Sequence, residues 1–247
     1  MAELESHHDP RQHLSILRHH VLGPVLRAET LTERVRNEVA SERDAFDAFA
    51  DRVAATTADS PRPPALMAGS VDTSGTSSAT APLREAYEAT VMAVQHYDDV
   101  YDESVEENAR AEFGPDLASL LSPETSTTFT RSHRELLVAA AEKRARDRDE
   151  FCDRLDSELH SLRSRRHDVT TILDNLDTSI VPAWYRDQFE EEVRQVLRTR
   201  QSTLGSQSSV SYIDEHSLCA YLYAEESWTY PILTAVARLL DSISVPE

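Results

Sequence analysis

Apolar residues recur at intervals of three and four along two stretches of the chain, about 25–53 and 128–177. In an α-helix this spacing places the apolar side chains on one face, whereas a half-buried strand needs them at every second position. The residues on these faces include Val39, Phe46, Phe49 and Val53 in the first stretch, with Glu42 filling one position, and Phe129, Leu137, Phe151, Leu155, Leu159, Leu162, Val169 and Leu173 in the second. With only 5 glycines and little period-two alternation, the chain is predicted to be all-α.

The second stretch predicts a helix about 75 Å long, at a rise of 1.5 Å per residue. One apolar stripe on such a helix needs partner helices to cover it. The candidates are the helix at 25–55 and a helix that follows Pro182. We therefore expect an elongated antiparallel helical bundle or coiled coil. Pairing within the chain and pairing between chains both fit this pattern.

Turn residues divide the chain into five predicted segments. Residues 1–56 contain the N-terminal helices, with a break expected at Gly23-Pro24, and residues 57–82 form a linker rich in Pro, Ser, Thr and Gly. Residues 83–122 hold short helices, including one from 83 to about 101 and one that Ser104 and Glu107 begin as a capping box. Gly114-Pro115 is expected to turn the chain into a further short helix. Residues 123–205 form long coiled-coil helices, and 206–247 form a small aromatic-rich helical cap of two short helices around the "SWTYP" turn.

The charge balance indicates the solvent in which the chain works. The formal net charge is -19, and Lys143 is the only lysine among 25 basic residues. Self-repulsion of this size strains a compact state at low salt, but the Debye length falls to about 3 Å at molar salt. We therefore interpret the composition as that of a halophile protein, in which acidity does not imply a basic partner. Neither a secretion signal nor an apolar run of membrane-spanning length is visible, so a cytoplasmic protein is expected.

Two aspartates and a third at positions 98, 99 and 102 form a DDxxD motif. If the predicted helix extends this far, Asp98 and Asp102 are i,i+4 neighbours, and with His96 they could hold Mg²⁺. The motif resembles the aspartate-rich motif of terpenoid and prenyl diphosphate synthases over five residues, but the second carboxylate motif of those enzymes is missing. A corner between two helices explains the same residues, with carboxylates near the start of the next helix. We favour the corner and keep a metal-binding protein or Mg-dependent enzyme as the alternative.

Basic residues cluster twice, at Arg163, Arg165, Arg166 and His167 and again at Arg194, Arg198 and Arg200. Such clusters could meet phosphates, which supports a nucleic-acid-associated regulator as a further alternative. Acidic residues flank both clusters, so solvated helix faces with ion pairs inside one helix are favoured. Cys152 and Cys219 fall on apolar helix sides and are expected to be buried and reduced.

Three segments carry a resemblance to a known family: "ERDAFDAFADRV", "YEATVMAVQHYDDVYDESVEENARAEFGPDL" and "LCAYLYAEESWTYPILTAVARLLDSI". They are similar to segments of a family of uncharacterised coiled-coil-rich proteins from salt-loving archaea. The resemblance implies a helical halophile protein of unassigned activity. It transfers no functional residue to this chain.

The favoured hypothesis is a non-enzymatic cytoplasmic interaction or scaffold protein without a cofactor. Its partner is another protein or a second copy, bound through the coiled-coil seams, and nucleic acid and membrane are not expected. The residues expected to matter are structural: Phe46, Phe49, Phe151, Leu155, Leu162, Trp228 and Tyr230.

Overall fold

A computed structural model of the protein describes residues 10–58, 80–97, 103–123, 128–178, 183–206 and 215–243. Within these ranges the chain forms helices and turns and contains no β-strand, which confirms the all-α prediction. The α-helices are α1 (Pro10–Ala55), α2 (Ala81–Glu88), α3 (Val105–Phe113), α4 (Pro115–Ala118), α5 (Arg131–Thr178), α6 (Ala183–Ser206), α7 (Glu215–Leu222) and α8 (Pro231–Ile243). Short 3₁₀ turns occupy Val91–Ala93 and Ser119–Leu121.

The chain divides into two compact units. Unit 1 consists of Met1–Val35 and Leu155–Glu247, and unit 2 consists of Arg36–Arg154. The boundaries fall inside α1 and α5, so each unit contains part of both long helices.

The two long helices pair in antiparallel fashion inside each unit. In unit 1, Glu29 pairs with Arg166 and Glu33 with Arg163. In unit 2, Arg43 pairs with Asp149, and the side chain of Arg134 reaches the Thr56 carbonyl. Residue numbers rise along α1 as they fall along α5, so the predicted antiparallel pairing is confirmed and is formed within one chain.

The helix break expected at Gly23-Pro24 is wrong, because α1 continues through both residues. A proline inside a helix removes one N–H donor and leaves the carbonyl four residues earlier without its usual partner. That carbonyl belongs to His20, and it accepts a hydrogen bond from Arg238 Nη1 at 2.8 Å. A donor from α8 therefore replaces the one that Pro24 lacks.

The helix expected from 83 to about 101 is also wrong, because α2 ends at Glu88. Thr90 leaves the helical conformation, with φ -128° and ψ -76°, and its hydroxyl donates to the Ala86 carbonyl at 2.7 Å. The 3₁₀ turn still places Val91 in the same core as Leu83 and Tyr87, so the sequence keeps its apolar spacing beyond the end of the helix. Residues 83–102 therefore do not form one continuous helix, and helical spacing cannot be used to place Asp98 relative to Asp102.

Local turn chemistry is confirmed at the start of α3 and of α4. Ser104 and Glu107 form the predicted capping box, in which each side chain bonds the backbone N–H of the other residue. Gly114 then adopts φ +81° between α3 and α4, a conformation open mainly to glycine.

Each unit has its own core. In unit 2 the rings of Phe49 and Tyr87 lie 5.0 Å apart edge to face, and Phe113 packs against both. In unit 1 the core includes Val21, Val25, Leu155, Leu159, Leu162, Val169, Leu173, Ile232, Val236 and Leu239. The predicted pair of short C-terminal helices is confirmed as α7 and α8, with the rings of Tyr223 and Trp228 5.2 Å apart at the turn between them.

Candidate functional site

The predicted metal ligands lie mostly beyond the described residues. Asp98 and Asp102 fall between residues 97 and 103 and are therefore outside them. His96 is described, and its Nε2 lies 2.9 Å from Glu42 Oε1. Within the described ranges no group of three or more His, Cys, Asp or Glu side chains could hold a metal ion. The magnesium hypothesis remains a prediction.

A charged cluster in unit 2, the Glu42 cluster, consists of Glu42, His96, Glu112 and Arg148. Arg148 joins the two carboxylates, with Nε 2.9 Å from Glu42 Oε2 and Nη2 2.6 Å from Glu112 Oε1. Its guanidinium also lies over the Phe46 ring, 4.5 Å from the ring centroid. Burial would lower the pKa of Arg148, but Glu112 and Glu42 outweigh burial and raise this pKa above its ordinary value. Arg148 therefore stays charged and ties α1 to α3 and α5.

A small cavity adjoins the Glu42 cluster. Its volume is about 10 Å³, and its lining combines Glu42, Glu112 and Asn108 with Phe46 and Val91. A cavity of roughly 10–15 Å³ is about the least that holds one water molecule. The cavity itself is therefore too small to enclose a metabolite.

Unit 1 contains a more deeply buried cluster, the Glu158 cluster, built from Glu158, Ser161, Arg200, Cys219 and Tyr223. The side chains of Arg200 and Glu158 are only 2% and 3% exposed. Arg200 Nη2 lies 2.9 Å from both oxygens of the Glu158 carboxylate, and its Nη1 donates to Ser161 Oγ at 2.8 Å. The pair joins α5 to α6.

The remaining members of the Glu158 cluster bring α7 and α1 to the same ion pair. The Tyr223 hydroxyl donates to Glu158 Oε1 at 3.3 Å and lies 3.1 Å from Thr32 Oγ1. Arg200 Nη2 also points to Cys219 Sγ at 3.6 Å. Burial and the Glu158 charge raise the pKa of Tyr223, so its phenol keeps the proton that it donates. The buried groups satisfy one another, as a buried ion pair requires.

Sequence reasoning missed Glu158 and Arg200 as partners, although a signal for both exists. Glu158 lies three residues after Leu155 and four before Leu162, on the buried face of α5. Arg200 follows Val193 and Val196 at helical spacing on α6 in the same way. A charged residue on an otherwise apolar face indicates a buried partner. The pattern does not say which partner.

The predicted structural residues fall into two groups. Those that are fully buried are Phe46 and Phe49 in unit 2 and Leu155 and Leu162 in unit 1. Those that are half-buried are Phe151, Trp228 and Tyr230. The four buried side chains pack inside the chain.

The large apolar side chains that the structure exposes are few within its described part: Ile16, Leu26, Leu136 and Tyr221. Tyr221 and Ile16 are the most open of them, at 63% and 59%. Single exposed apolar residues are ordinary, but tyrosine is also a frequent anchor of protein interfaces.

The two basic clusters have carboxylate partners in unit 1. Arg163 and Arg166 pair with Glu33 and Glu29 of α1, and Arg165 pairs with Asp168 at 2.8 Å. Arg198 pairs with Glu191. The groove between α5 and α6, of about 480 Å³, is likewise lined by both Arg165 and the acidic Asp168 and Glu192. The Arg165 and Arg198 pairs lie within one helix, as predicted, whereas Arg163 and Arg166 pair with carboxylates of a second helix, which the prediction of intrahelical pairs did not include. The nucleic-acid hypothesis stays a prediction.

These features define a helical protein whose two long helices pair antiparallel and whose buried charges join helices. The chain belongs to the family described as "Domain of unknown function (DUF7260)", whose model matches residues 23–247. Neither the curated proteins nor the solved structures provide a match to it. Among the described residues, no helix combines the length and the apolar character that crossing a membrane requires.

Proposed function

We propose that this protein is a non-enzymatic helical interaction protein that works at molar salt in the cytoplasm of a halophile. The main support is the way in which its buried charges are used. In both the Glu158 cluster and the Glu42 cluster, carboxylates and guanidinium groups bond one another across helices. Such groups fix the packing of helices, and the cavity beside the second cluster leaves room for about one water molecule.

The solvent part of the proposal rests on composition. A net charge of -19 with Lys143 as the only lysine fits a chain whose self-repulsion is screened by concentrated salt. The interaction part rests on rigid helices that carry isolated exposed apolar side chains, with Tyr221 as the best interface residue among them.

Site-directed photo-crosslinking tests the interaction. A photoreactive amino acid replaces Tyr221 or Leu136 in separate chains, and each chain is irradiated in a native lysate at molar KCl. Matched positions are the exposed acidic residues Glu225 and Asp47, which lie in the same units. We expect one protein to be crosslinked from an apolar position and not from the acidic position of that unit.

A crosslink to a second copy of the chain identifies self-association, and a crosslink to another protein identifies a partner. Equal crosslinking from the apolar and acidic positions, or none from either, contradicts the proposal.

A further inference from the structure

Pro24 removes one backbone hydrogen bond from α1, and a residue distant in the sequence supplies a replacement donor. An alanine at this position would donate its N–H to the carbonyl of His20, but proline has no N–H. Arg238 Nη1 occupies that acceptor instead, at 2.8 Å. Arg238 lies on α8, 218 positions along the chain from His20, and both belong to unit 1.

The residues before Pro24 form an N-terminal arm, residues 10–23, whose side chains are described from residue 15 onward. Among its described side chains only Val21 is fully buried. Arg18 pairs with Asp174, but these side chains are 37% and 55% exposed. Exposed ion pairs contribute little, and a segment with few fully buried side chains opens at low free-energy cost.

Gly23 increases the freedom of the same junction. Apart from its two chain neighbours and the backbone of α1 itself, no described atom lies within 4 Å of the position that a Cβ on Gly23 would take. Packing therefore does not require glycine there, and its effect is on the backbone. A glycine beside a proline is a typical place for a helix to bend.

We propose that Gly23-Pro24 is a hinge in α1 and that Arg238 is the latch that holds the arm in line with the rest of the helix. When the Arg238 bond breaks, the His20 carbonyl has no helical donor to return to. The arm then pivots and exposes Val21. Movements of α8 are thereby coupled to the N-terminal arm.

Hydrogen exchange read by mass spectrometry tests the latch. In the Arg238→Ala chain, we expect amides in peptides covering residues 15–23 to exchange about tenfold faster, because a hydrogen bond from a charged donor is lost. The same substitution in a Pro24→Ala background is expected to leave these amides unchanged. In that background the alanine N–H bonds the His20 carbonyl and makes Arg238 redundant.

Arg27→Ala is the matched control, since it removes an arginine that bonds Glu226 in the same unit and not a backbone carbonyl. It should not change exchange in residues 15–23. The proposal is overturned if Arg238→Ala has the same effect in the Pro24→Ala background as in the wild-type chain, or no effect in either. Faster exchange spread evenly over unit 1 would also overturn it.

Discussion

The Arg200 guanidinium lies against the Glu158 carboxylate with almost no exposure to solvent. Moving two charges out of water is costly, and the attraction between them recovers that cost only when the geometry is good and further hydrogen bonds are made. Ser161 and Tyr223 supply those bonds. Loss of one partner leaves the other charge buried alone, which is worse than loss of both.

We expect Arg200→Met to lower the free energy of unfolding by about 3–5 kcal/mol, since it strands the Glu158 charge. The double variant Glu158→Leu, Arg200→Met should recover most of that loss. Urea denaturation in molar KCl measures both. Arg198→Met on the same helix breaks a pair that is about 60% exposed and should cost at most about 1 kcal/mol. A double variant no more stable than Arg200→Met would refute this account.

Glu29 permits a test based on pH. Burial raises the pKa of Glu29 more than the nearby Arg166 and Arg163 lower it. The stability that this carboxyl contributes is therefore fully present below its unfolded pKa and is lost as pH rises through its folded pKa. Glutamine cannot ionise, so the stability of Glu29→Gln relative to wild type should increase as pH rises through that window. Urea midpoints of both chains between pH 4 and 8 measure this difference, and an advantage that shrinks with pH would contradict it.

At the scale of elements, two glycines in similar open surroundings should respond oppositely to alanine. Apart from chain neighbours and, for Gly23, the backbone of its own helix, no described atom lies within 4 Å of a Cβ position at Gly114 or Gly23. The backbone conformation therefore distinguishes them. Gly114 has φ +81° and ψ 168°, and we expect Gly114→Ala to cost about 1–3 kcal/mol. Gly23 lies inside α1, and Gly23→Ala should stabilise by about 0.5–1 kcal/mol. Equal changes in the thermal midpoint of the two variants would show that the backbone is not the cause.

The ends of helices were predictable where the residues that fix them are close together in the sequence. The capping box of Ser104 and Glu107 and the Gly114-Pro115 turn were read correctly for this reason. The end of α2 was missed because apolar spacing continues to Val91 although the backbone leaves the helix at Thr90. The site residues were less predictable still, because a helical face shows that Arg200 is buried but not what it meets.

At the scale of the whole molecule, we expect the melting temperature to rise when KCl increases from about 0.1 M to molar concentration. The Debye length falls from about 10 Å to about 3 Å over this range, which screens repulsion among surface carboxylates. The buried Glu158 cluster is screened much less and should not lose its attraction. Calorimetry measures the melting temperature in KCl and in sucrose at equal osmolality. Sucrose is excluded from the protein surface but does not screen charges, so the comparison separates the two effects. A melting temperature that falls with KCl, or that rises equally in sucrose, would contradict the halophile interpretation.

The helical class, the long seams and the local caps follow from periodicity and turn chemistry, which adjacent residues carry. Contacts between distant residues decide the use of the seams inside one chain, the donor that meets the His20 carbonyl and the contents of the Glu158 cluster. Arg200 and Glu158 are 42 positions apart, and Arg238 and His20 are 218 positions apart. The carbonyl that a proline leaves without its helical donor needs another donor, and a buried charge needs a counter-charge. Both conditions are met by folding, and neither can be read from the residues on either side.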